Sequence, residues 1–514
     1  MGSLFGNRLK YVRARAWRND ASFVYPEKDL ESLPSKSDLG VTFSGGGTRS
    51  AAAVAGQLRG LKQIGLLKQI KYISSVSGGA WGATPYTFLP DSFDEDEFLG
   101  EILSPTDIII DSLNATSKKS LVGAIADSII TDDFFAEAAK SDGDETYSRA
   151  IGNIFLDPFD LGDNGQFMSF DEATVATALE QNSKDEDHDY YLKRTDFYVA
   201  RRDRPFLIAG STLFSGQQRW PKIPREFTPY YSGTRNYFDF NDPIGGGYLE
   251  TFGADSERPK RSAKTVKVKL GAKRHRFALS DMIGASGAAP QELLGKHNIG
   301  IVWFPEFRHW AFKQPRGFAD DEELSYGDGG HLENLGIMPL LARQVKNIIV
   351  FVNSKTKFIY DADPDICEIA SSLPNLLKPS AGDGFRLKVV IKNDNRNTKY
   401  KELLNAFRLA SDTGKTLIHS GIYDIRSNKY YSVSAYSDVR ITWIYNQNVT
   451  QWFDALPYHT KRMIEDGEVK RFPHYRTFFQ NPPKVIDLSR TEAGLLAHLS
   501  CWNVIKNKGQ LMPQ

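Results

Sequence analysis

The clearest hydrophobic pattern is a pair of short apolar runs near the beginning of the chain, each followed by glycines. Leu39–Phe43 reads LGVTF and Tyr72–Val76 reads YISSV, and both runs predict buried strands. Between them, residues 51–67 are rich in alanine and leucine, with Val54 and Leu58 among the apolar residues at helical spacing. A strand, a glycine turn, a helix and a second strand in this order predict a parallel α/β sheet.

Further apolar segments predict that this α/β pattern continues later in the chain. Residues 205–214 and 346–354 have the pattern of buried strands, and residues 491–505 have that of a helix. Residues 90–280, by contrast, form a long irregular stretch that contains acidic runs. The sequence therefore predicts one domain over residues 37–514 with an insertion in this stretch, rather than two independent domains.

Two basic segments lie outside this pattern. Residues 1–36 carry five cations before the first acid, Asp20, together with apolar residues at helical spacing, which predicts a basic leader helix. That helix could pack on the body of the protein or lie on anionic lipid. Residues 260–277 alternate Lys with Val and Leu around Gly271, which predicts a hairpin with one basic face. That face could be an ordinary solvent face or a contact for lipid headgroups.

The composition is that of an ordinary globular protein and narrows the classes of function. Of 514 residues, 41% are hydrophobic, and 64 Lys and Arg nearly balance 63 Asp and Glu. Balanced charge gives no global field that would attract nucleic acid, so we expect no nucleic-acid partner. Two cysteines, no signal peptide and no apolar run long enough to span a bilayer predict a cytoplasmic protein. Any association with a membrane would then be peripheral.

The candidate chemistry begins where the second apolar run ends, at Ser77. The segment SVSGG places small residues on both sides of this serine, between a strand and a helix, as a nucleophile elbow requires. The first flanking position holds Ser75, where the elbow pattern G-x-S-x-G has glycine. A glycine turn with a purely structural role is the alternative interpretation.

A glycine loop after the first strand supplies candidate oxyanion donors for this serine. Gly45, Gly46 and Gly47 have no side chains to keep a substrate away from the backbone, and the N–H of Gly78 follows Ser77. A phosphate-binding loop is the competing interpretation. The loop has neither G-x-x-x-x-G-K-[ST] nor G-x-G-x-x-G, so it fits an oxyanion hole better than a nucleotide site.

The serine also needs a base, and two residues of one glycine-rich turn are candidates. His331 follows shortly after Asp328, as a Ser-His-Asp triad would allow, but no spacing argument connects it to Ser77. Asp328 itself lies in the turn, in the sequence GDGG. The residues alone leave the choice of base open.

Three motifs, SGGGTRS, SVSGGAW and GDGGHLENLGIMPLL, occur in this order along the chain. Together they resemble the signatures of the patatin and cytosolic phospholipase A2 superfamily, whose enzymes use a Ser-Asp dyad without histidine. Segments 225–233 and 285–290 resemble the cytosolic phospholipase A2 branch in particular. The resemblance covers roughly residues 37–355. It implies an α/β three-layer sandwich with a central, mainly parallel sheet and a cap or lid insertion.

The resemblance also implies a role for each matching residue. Ser77 would be the nucleophile and Asp328 the base, so we expect His331 to be a turn residue rather than a catalytic one. Gly45 to Gly47 with Gly78 would form the oxyanion hole, and Arg49 would bind the substrate phosphate.

These roles predict a phospholipase or lysophospholipase that releases fatty acids from glycerophospholipids at a membrane or micelle surface. No metal or cofactor is expected in the chemistry. A lipid acyltransferase with the same dyad and a catalytically silent lipid-binding module are the alternatives. The preferred position on the glycerol, the headgroup, the acyl chain and the oligomeric state stay open.

Overall fold

The computed structural model describes most of the chain. The described residues are 11–126, 130–131, 146–183, 192–214, 222–239, 243–257, 265–270, 276–289, 304–312, 322–378, 390–392, 397–478, 480 and 484–512. The strands in these ranges are β1 (Val12–Arg18), β2 (Leu39–Phe43), β3 (Tyr72–Val76), β4 (Ile130–Thr131), β5 (Phe167–Ser169), β6 (Phe197–Val199), β7 (Phe206–Phe214), β8 (Lys222–Phe227), β9 (Tyr231–Phe238), β10 (Ile244–Glu250), β11 (Ser256–Glu257), β12 (Thr265–Leu270), β13 (Glu306–His309), β14 (Glu322–Asp328), β15 (Asn347–Val352), β16 (Leu417–Ile425), β17 (Tyr436–Tyr445) and β18 (Lys484–Ile486).

The helices vary from one turn to more than four. They are α1 (Gly47–Gln63), α2 (Gly78–Phe88), α3 (Glu95–Leu99), α4 (Ile110–Asn114), α5 (Leu121–Ala126), α6 (Thr146–Phe155), α7 (Glu172–Gln181), α8 (Leu279–Gly287), α9 (Met338–Ala342), α10 (Ser372–Leu377), α11 (Thr398–Asp412), α12 (Thr450–Asp454), α13 (Tyr458–Glu465), α14 (Arg490–Lys506) and α15 (Lys508–Leu511). In the described ranges, none of them is both long enough and apolar enough to cross a membrane.

The described residues group into two compact units. The first unit contains residues from Met1–Ser35, Thr84–Pro90 and Ser141–Leu332, and the second contains residues from Lys36–Ala83, Asp91–Lys140 and Glu333–Gln514. The division into a leader, one catalytic domain and a cap insertion stays a prediction.

The second unit is built on a mainly parallel sheet. β2 lies between β3 and β15 and is parallel to both, and β17 lies parallel to β15 on its other side. β16 pairs with β17 in the antiparallel direction. Every residue of β2 and β3 is buried, as is typical of parallel strands that are covered on both faces. The two apolar runs near the beginning of the chain are therefore neighbouring strands, with the predicted bounds.

Three predictions for later segments are also confirmed. β7 occupies the apolar run at 205–214, β15 the run at 346–354, and α14 the helical segment at 491–505. The first predicted helix begins earlier than expected, because α1 starts inside the glycine loop at Gly47.

Helix α1 packs directly on α14 within the second unit, through glycines. A Cβ atom on Gly56 would lie 1.9 Å from the carbonyl oxygen of Ala497, and one on Gly60 would lie 3.0 Å from that of Cys501. Real Cβ atoms do not approach backbone oxygens as closely as the first of these distances. The two helix axes can therefore lie this close together only because Gly56 has no side chain.

The first unit contains a long antiparallel sheet. Its strands follow the order β11, β12, β1, β10, β9, β8, β7, β14 and β13, and each neighbouring pair is antiparallel. The β-structure of the protein is thus mixed, and the prediction of a mainly parallel sheet is wrong for this unit. Several strands that follow one another in sequence are neighbours here, and short connections of this kind join antiparallel strands. The three-layer sandwich stays a prediction.

The segment predicted as a basic helix contains a strand of this sheet. Val12, Ala14 and Ala16 are buried, and the arginines between them are partly exposed. The strand pairs with β10 on one side and β12 on the other, and its apolar side chains join a buried cluster of the first unit. The prediction of a helix, whether packed or bound to lipid, is therefore wrong for residues 12–18. Residues 1–10 lie outside the described residues.

The second basic segment also supplies a strand, β12. Val266 and Val268 are buried and Lys267 is exposed, as the alternating sequence predicts. β12 pairs with β1 and β11. The turn expected at Gly271 and the arm that would follow it directly lie outside the described residues.

Replacing Ala14 with aspartate is expected to lower the free energy of unfolding by about 3 kcal/mol or more, because a carboxylate would enter an apolar cluster. Urea unfolding followed by circular dichroism measures the change. Thr265→Asp is the control, because Thr265 is an exposed residue of the neighbouring strand β12. Equal stability of the two variants would contradict the placement of β1 in the sheet.

Candidate active site

Ser77 occupies a turn between β3 and α2 that few residue types adopt. Its backbone has a φ of 54°, in the left-handed region, and the residue is 4% exposed. Its carbonyl oxygen accepts hydrogen bonds from the N–H groups of Ala80 at 2.8 Å and Trp81 at 3.1 Å, so the helix begins directly after the serine. A left-handed conformation costs a non-glycine residue about 1–2 kcal/mol. Strain of this kind between a strand and a helix is typical of a nucleophile elbow.

The glycines after Ser77 are required by close contacts of the backbone. A Cβ atom on Gly78 would lie 1.9 Å from the carbonyl oxygen of Gly47, and one on Gly79 would lie 2.3 Å from that of Phe43. Neither position can hold a side chain unless the backbone moves. The elbow and the glycine loop therefore touch through their main chains.

Gly45 brings the glycine loop close to the serine. A Cβ atom on Gly45 would lie 3.1 Å from the Cβ atom of Ser77 and 2.1 Å from Oδ1 of Asn334. The N–H of Gly45 already donates a hydrogen bond to the carbonyl oxygen of Asn334, at 2.9 Å. Gly45 thus permits the close approach, but its own N–H is engaged and does not point to an oxyanion site.

The other three predicted donors are in a better position to bind an anion. Gly47 and Gly78 are the first residues of α1 and α2, and Gly46 precedes α1. Within the part of the chain that the structure describes, no backbone carbonyl accepts a hydrogen bond from these three N–H groups. The N-terminus of a helix carries a partial positive charge. The N-termini of α1 and α2 next to Ser77 therefore favour a negative charge at this position. The oxyanion hole itself stays a prediction.

Asn353, directly after β15, fixes both ends of the glycine loop. Its backbone N–H donates to Oγ of Ser44 at 2.8 Å, and its Nδ2 donates to Oγ of Ser50 at 3.0 Å. Its Oδ1 accepts a hydrogen bond from Nε2 of Gln57 at 2.7 Å. Asn353 is 1% exposed, so these bonds form without competition from water.

Replacing Asn353 with alanine is expected to lower the free energy of unfolding by about 2–3 kcal/mol, because the buried polar groups of Ser50 and Gln57 lose a partner. Urea unfolding measures the change. Asn347→Ala on the same strand is the matched control, since Asn347 donates to the carbonyl oxygen of Asp38 at 3.2 Å in an exposed position. Its cost should stay below about 1 kcal/mol. An equal loss of unfolding free energy in the two variants would show that the buried hydrogen bonds of Asn353 do not stabilise the protein.

Arg49 is buried beneath the same loop. Its Nε donates to the carbonyl oxygen of Asn353 at 3.1 Å, and its Nη1 donates to the carbonyl oxygen of Tyr475. Burial lowers the pKa of Arg49 to about 10, so the guanidinium still carries its charge at neutral pH. With 3% exposure, these contacts fit a role in ordering the loop. Binding of a substrate phosphate by Arg49 stays a prediction.

Asp328 is the last residue of β14, in the first unit, and is 7% exposed. Its Oδ1 accepts a hydrogen bond from the N–H of Gly330 at 2.7 Å. Its backbone N–H donates to the carbonyl oxygen of Ala288 at 3.3 Å, and its carbonyl oxygen accepts from Oγ1 of Thr212 at 2.8 Å. The turn is thus held from three sides. Ser77 belongs to the second unit, and the pairing of Ser77 with Asp328 stays a prediction.

Two further residues belong to the surroundings of Asp328 in the first unit. The hydroxyl of Tyr147 donates to the carbonyl oxygen of Gly287 at 2.6 Å. Burial, and next the negative charge of Asp328, raise the pKa of Tyr147 well above its ordinary value. His331 ends a short 3-10 turn, and its ring lies 5.9 Å from that of Phe214.

The residues that support the loop cannot be recognised from their local sequence. Asn334, Asn353 and Gln57 are polar residues without a local pattern, and their partners lie far away in sequence. Glu333 is different, because it accepts hydrogen bonds from the N–H groups of Leu335 at 2.5 Å and Ile337 at 2.9 Å. Glu333 therefore makes its contacts within its own turn, whereas the other three residues depend on distant partners. Among the described residues, no group of three or more His, Cys, Asp or Glu could hold a metal ion.

Comparison with known proteins gives distant matches only. No family model matches the chain, and a search of curated proteins finds no match. Among solved structures, the chain is similar to human GIVD cytosolic phospholipase A2 with 13% sequence identity and a TM-score of 0.45, over 92% of this chain and 59% of that chain. The complex of human GIVD cytosolic phospholipase A2 with methyl gamma-linolenyl fluorophosphonate gives 13% identity and a TM-score of 0.42, over 94% and 58%.

The chain therefore spans less than two thirds of the length of these structures. Similarity this distant carries no information about the site, so the candidate active site rests on the geometry described above.

Proposed function

We propose that the protein is a serine acyl hydrolase that releases fatty acids from glycerophospholipids or lysophospholipids. The observation that carries this proposal is the left-handed Ser77 at the end of a buried strand, with a glycine loop packed against it. A structural turn would need neither the strained serine nor the two helix N-termini beside it. The lipid substrate class rests on the resemblance of the three motifs to the patatin and cytosolic phospholipase A2 superfamily.

In the proposed reaction, Oγ of Ser77 attacks the ester carbonyl carbon while its proton passes to the carboxylate of Asp328. The N–H groups of Gly46, Gly47 and Gly78 stabilise the negative charge that develops on the carbonyl oxygen. The alcohol leaves with the proton from Asp328, and the acyl group stays on Ser77. Water then attacks the acyl carbon and gives a proton to the same carboxylate, the bond from the acyl carbon to Oγ breaks, and Oγ of Ser77 takes the proton back as the fatty acid leaves.

The phosphate of the substrate needs a separate contact. Arg49 is the predicted ligand, although its bonds to carbonyl oxygens support a structural role more than direct binding. If Arg49→Lys weakens binding of the phospholipid but leaves the free energy of unfolding unchanged, the predicted role of Arg49 in binding the substrate phosphate is favoured.

The test is release of fatty acid from vesicles of phosphatidylcholine and lysophosphatidylcholine, with a metal chelator present. Metal-independent release by the wild-type protein supports the proposal. Acyl transfer to an added alcohol, without release of fatty acid, would favour the acyltransferase. Binding to vesicles without either reaction would favour a silent lipid-binding module. Equal rates on soluble esters below and above their micelle concentration would contradict a lipid surface as substrate.

A further inference from the structure

A cavity of about 950 Å³ lies within the second unit, away from the serine. It is lined by the C-terminal half of α1, by residues of the segment 96–122 and by one side of α14. Arg59 of α1 and His498 of α14 both line it. Twelve residues of helix separate Arg59 from Gly47 at the glycine loop, which corresponds to about 18 Å along the helix axis. The cavity is therefore a different place from the candidate active site.

The first unusual feature of the cavity is the buried guanidinium of Arg59, which is 5% exposed. Its Nε donates to the carbonyl oxygen of Leu99 at 2.7 Å, and its Nη1 donates to the carbonyl oxygen of Glu101. Among the residues that the structure describes, Arg59 forms no ion pair and its Nη2 has no hydrogen-bond acceptor. Burial lowers the pKa of Arg59, and the nearby Cys501 and Glu101 offset this cost only in part. An anion in the cavity would supply the missing partner.

His498 gives a second, independent indication of a ligand. It is partly exposed where it lines the cavity, and it has no hydrogen-bond partner among the described residues. Burial, and next the positive charge of Arg59, lower the pKa of His498 to about 3. The ring is therefore neutral at physiological pH, with one N–H donor to offer. A neutral donor next to a cation suits one phosphate group.

The exposed end of the cavity carries acidic residues. Lys62 there is paired with Glu95 at 3.1 Å and Asp96 at 2.7 Å, so its charge is neutralised. Glu97 and Glu101 are exposed and also line the cavity or its rim. Acidic residues at the entrance repel a polyanion such as a triphosphate. They suit a ligand whose single phosphate is followed by a positive group.

We propose that this cavity binds a zwitterionic phosphodiester, with the phosphate on Arg59 and His498 and the cationic group near Glu97 and Glu101. Such a group occurs in small organic phosphates and in the headgroups of phospholipids. The proposal does not depend on the function of Ser77, because every residue it uses lies outside the candidate active site.

The experiment is calorimetric titration of the wild-type protein with glycerophosphocholine, which has no ester of a fatty acid. Arg59→Gln is expected to weaken binding about 10- to 100-fold, the loss that follows when hydrogen bonds to a charged group are removed. Arg462→Gln is the matched control, since Arg462 is an exposed arginine of the same unit and its substitution should leave binding unchanged.

A second variant keeps the proposal testable if Arg59→Gln fails to fold. Ala115 is exposed and lines the cavity, so Ala115→Trp should narrow the cavity without touching the buried arginine. It is expected to abolish the titration signal while the urea unfolding curve stays that of the wild type.

Two arms of the experiment distinguish the sources of the phosphate. Competition by phosphatidylcholine vesicles, in a Ser77→Ala protein, would identify a headgroup, and binding of glycerophosphocholine without such competition would identify a small organic phosphate. No binding of either probe by the wild-type protein would overturn the proposal. Binding that survives in both Arg59→Gln and Ala115→Trp would overturn it as well.

Discussion

Replacing Ser77 with alanine is expected to reduce fatty-acid release by about 10⁴-fold or more, because the nucleophile of an acyl-enzyme mechanism cannot be substituted by water at the same position. The free energy of unfolding should change little, because alanine removes only the hydroxyl group and the turn at residue 77 is kept. The rate of release from vesicles gives the first quantity and urea unfolding gives the second. Mass spectrometry adds a direct readout, since an alkyl fluorophosphonate should modify Ser77 in the wild type only.

Ser74→Ala is the matched control for this variant. Ser74 lies on β3, three residues before Ser77, and is fully buried, and its hydroxyl has no hydrogen-bond partner among the described residues. Its removal should leave both activity and stability nearly unchanged, because no buried partner is left unpaired. Activity of Ser77→Ala within about 10-fold of the wild type would contradict the assignment of the nucleophile.

Replacing Asp328 with asparagine is expected to reduce kcat by about 10²- to 10⁴-fold, the usual contribution of a general base. Asparagine keeps an oxygen that can accept the hydrogen bond from the N–H of Gly330, so the turn after β14 should persist. KM for the lipid should change little, because the proposed role of Asp328 is proton transfer. Steady-state kinetics on vesicles, together with urea unfolding, separate these effects.

Asp281→Asn is the control for the loss of a buried carboxylate. Asp281 is 2% exposed, lies in the same unit and accepts a hydrogen bond from the N–H of Ala278 at 2.8 Å. It has no proposed part in the reaction, so its substitution should cost stability and leave kcat unchanged. If Asp328→Asn retains full activity, the dyad is wrong and another base must serve Ser77.

The elbow and the loop can be predicted from the sequence because their signals are local. A strand that ends directly before Ser77, with glycines directly after the serine, can be recognised within a few residues of sequence. The same holds for the segment from Gly45 to Gly47. The role of Asn353 cannot be predicted in this way, since its partner Gln57 lies 296 residues away and nothing in either neighbourhood specifies the other.

The error at β1 has a simple geometric origin. Val12 and Ala16 are four residues apart, a spacing that places two side chains on one face of either a helix or a strand. Ala14, halfway between them, decides the question, because it would face away in a helix and shares the buried face in a strand. Alanine is small and is common in helices, so its presence at this position does not distinguish a strand from a helix.

The prediction of a mainly parallel sheet is wrong for the first unit because it extends a pattern that is present only near the beginning of the chain. β2, α1 and β3 follow the rhythm of a parallel sheet, and the second unit obeys it. In the first unit, β8, β9 and β10 follow one another with short connections, which antiparallel strands allow and parallel strands do not. The pattern near the beginning of the chain therefore does not extend to these strands.

The contact between Gly56 and Ala497 has a consequence for the order of events when the chain folds. These residues are separated by most of the chain, and contacts of such long sequence separation form slowly because a large loop must close first. Helix α1 begins at the glycine loop, so we expect docking of α14 to complete the packing of the helix that carries this loop. Under the proposed function, fatty-acid release should therefore reappear later in refolding than the helical circular-dichroism signal.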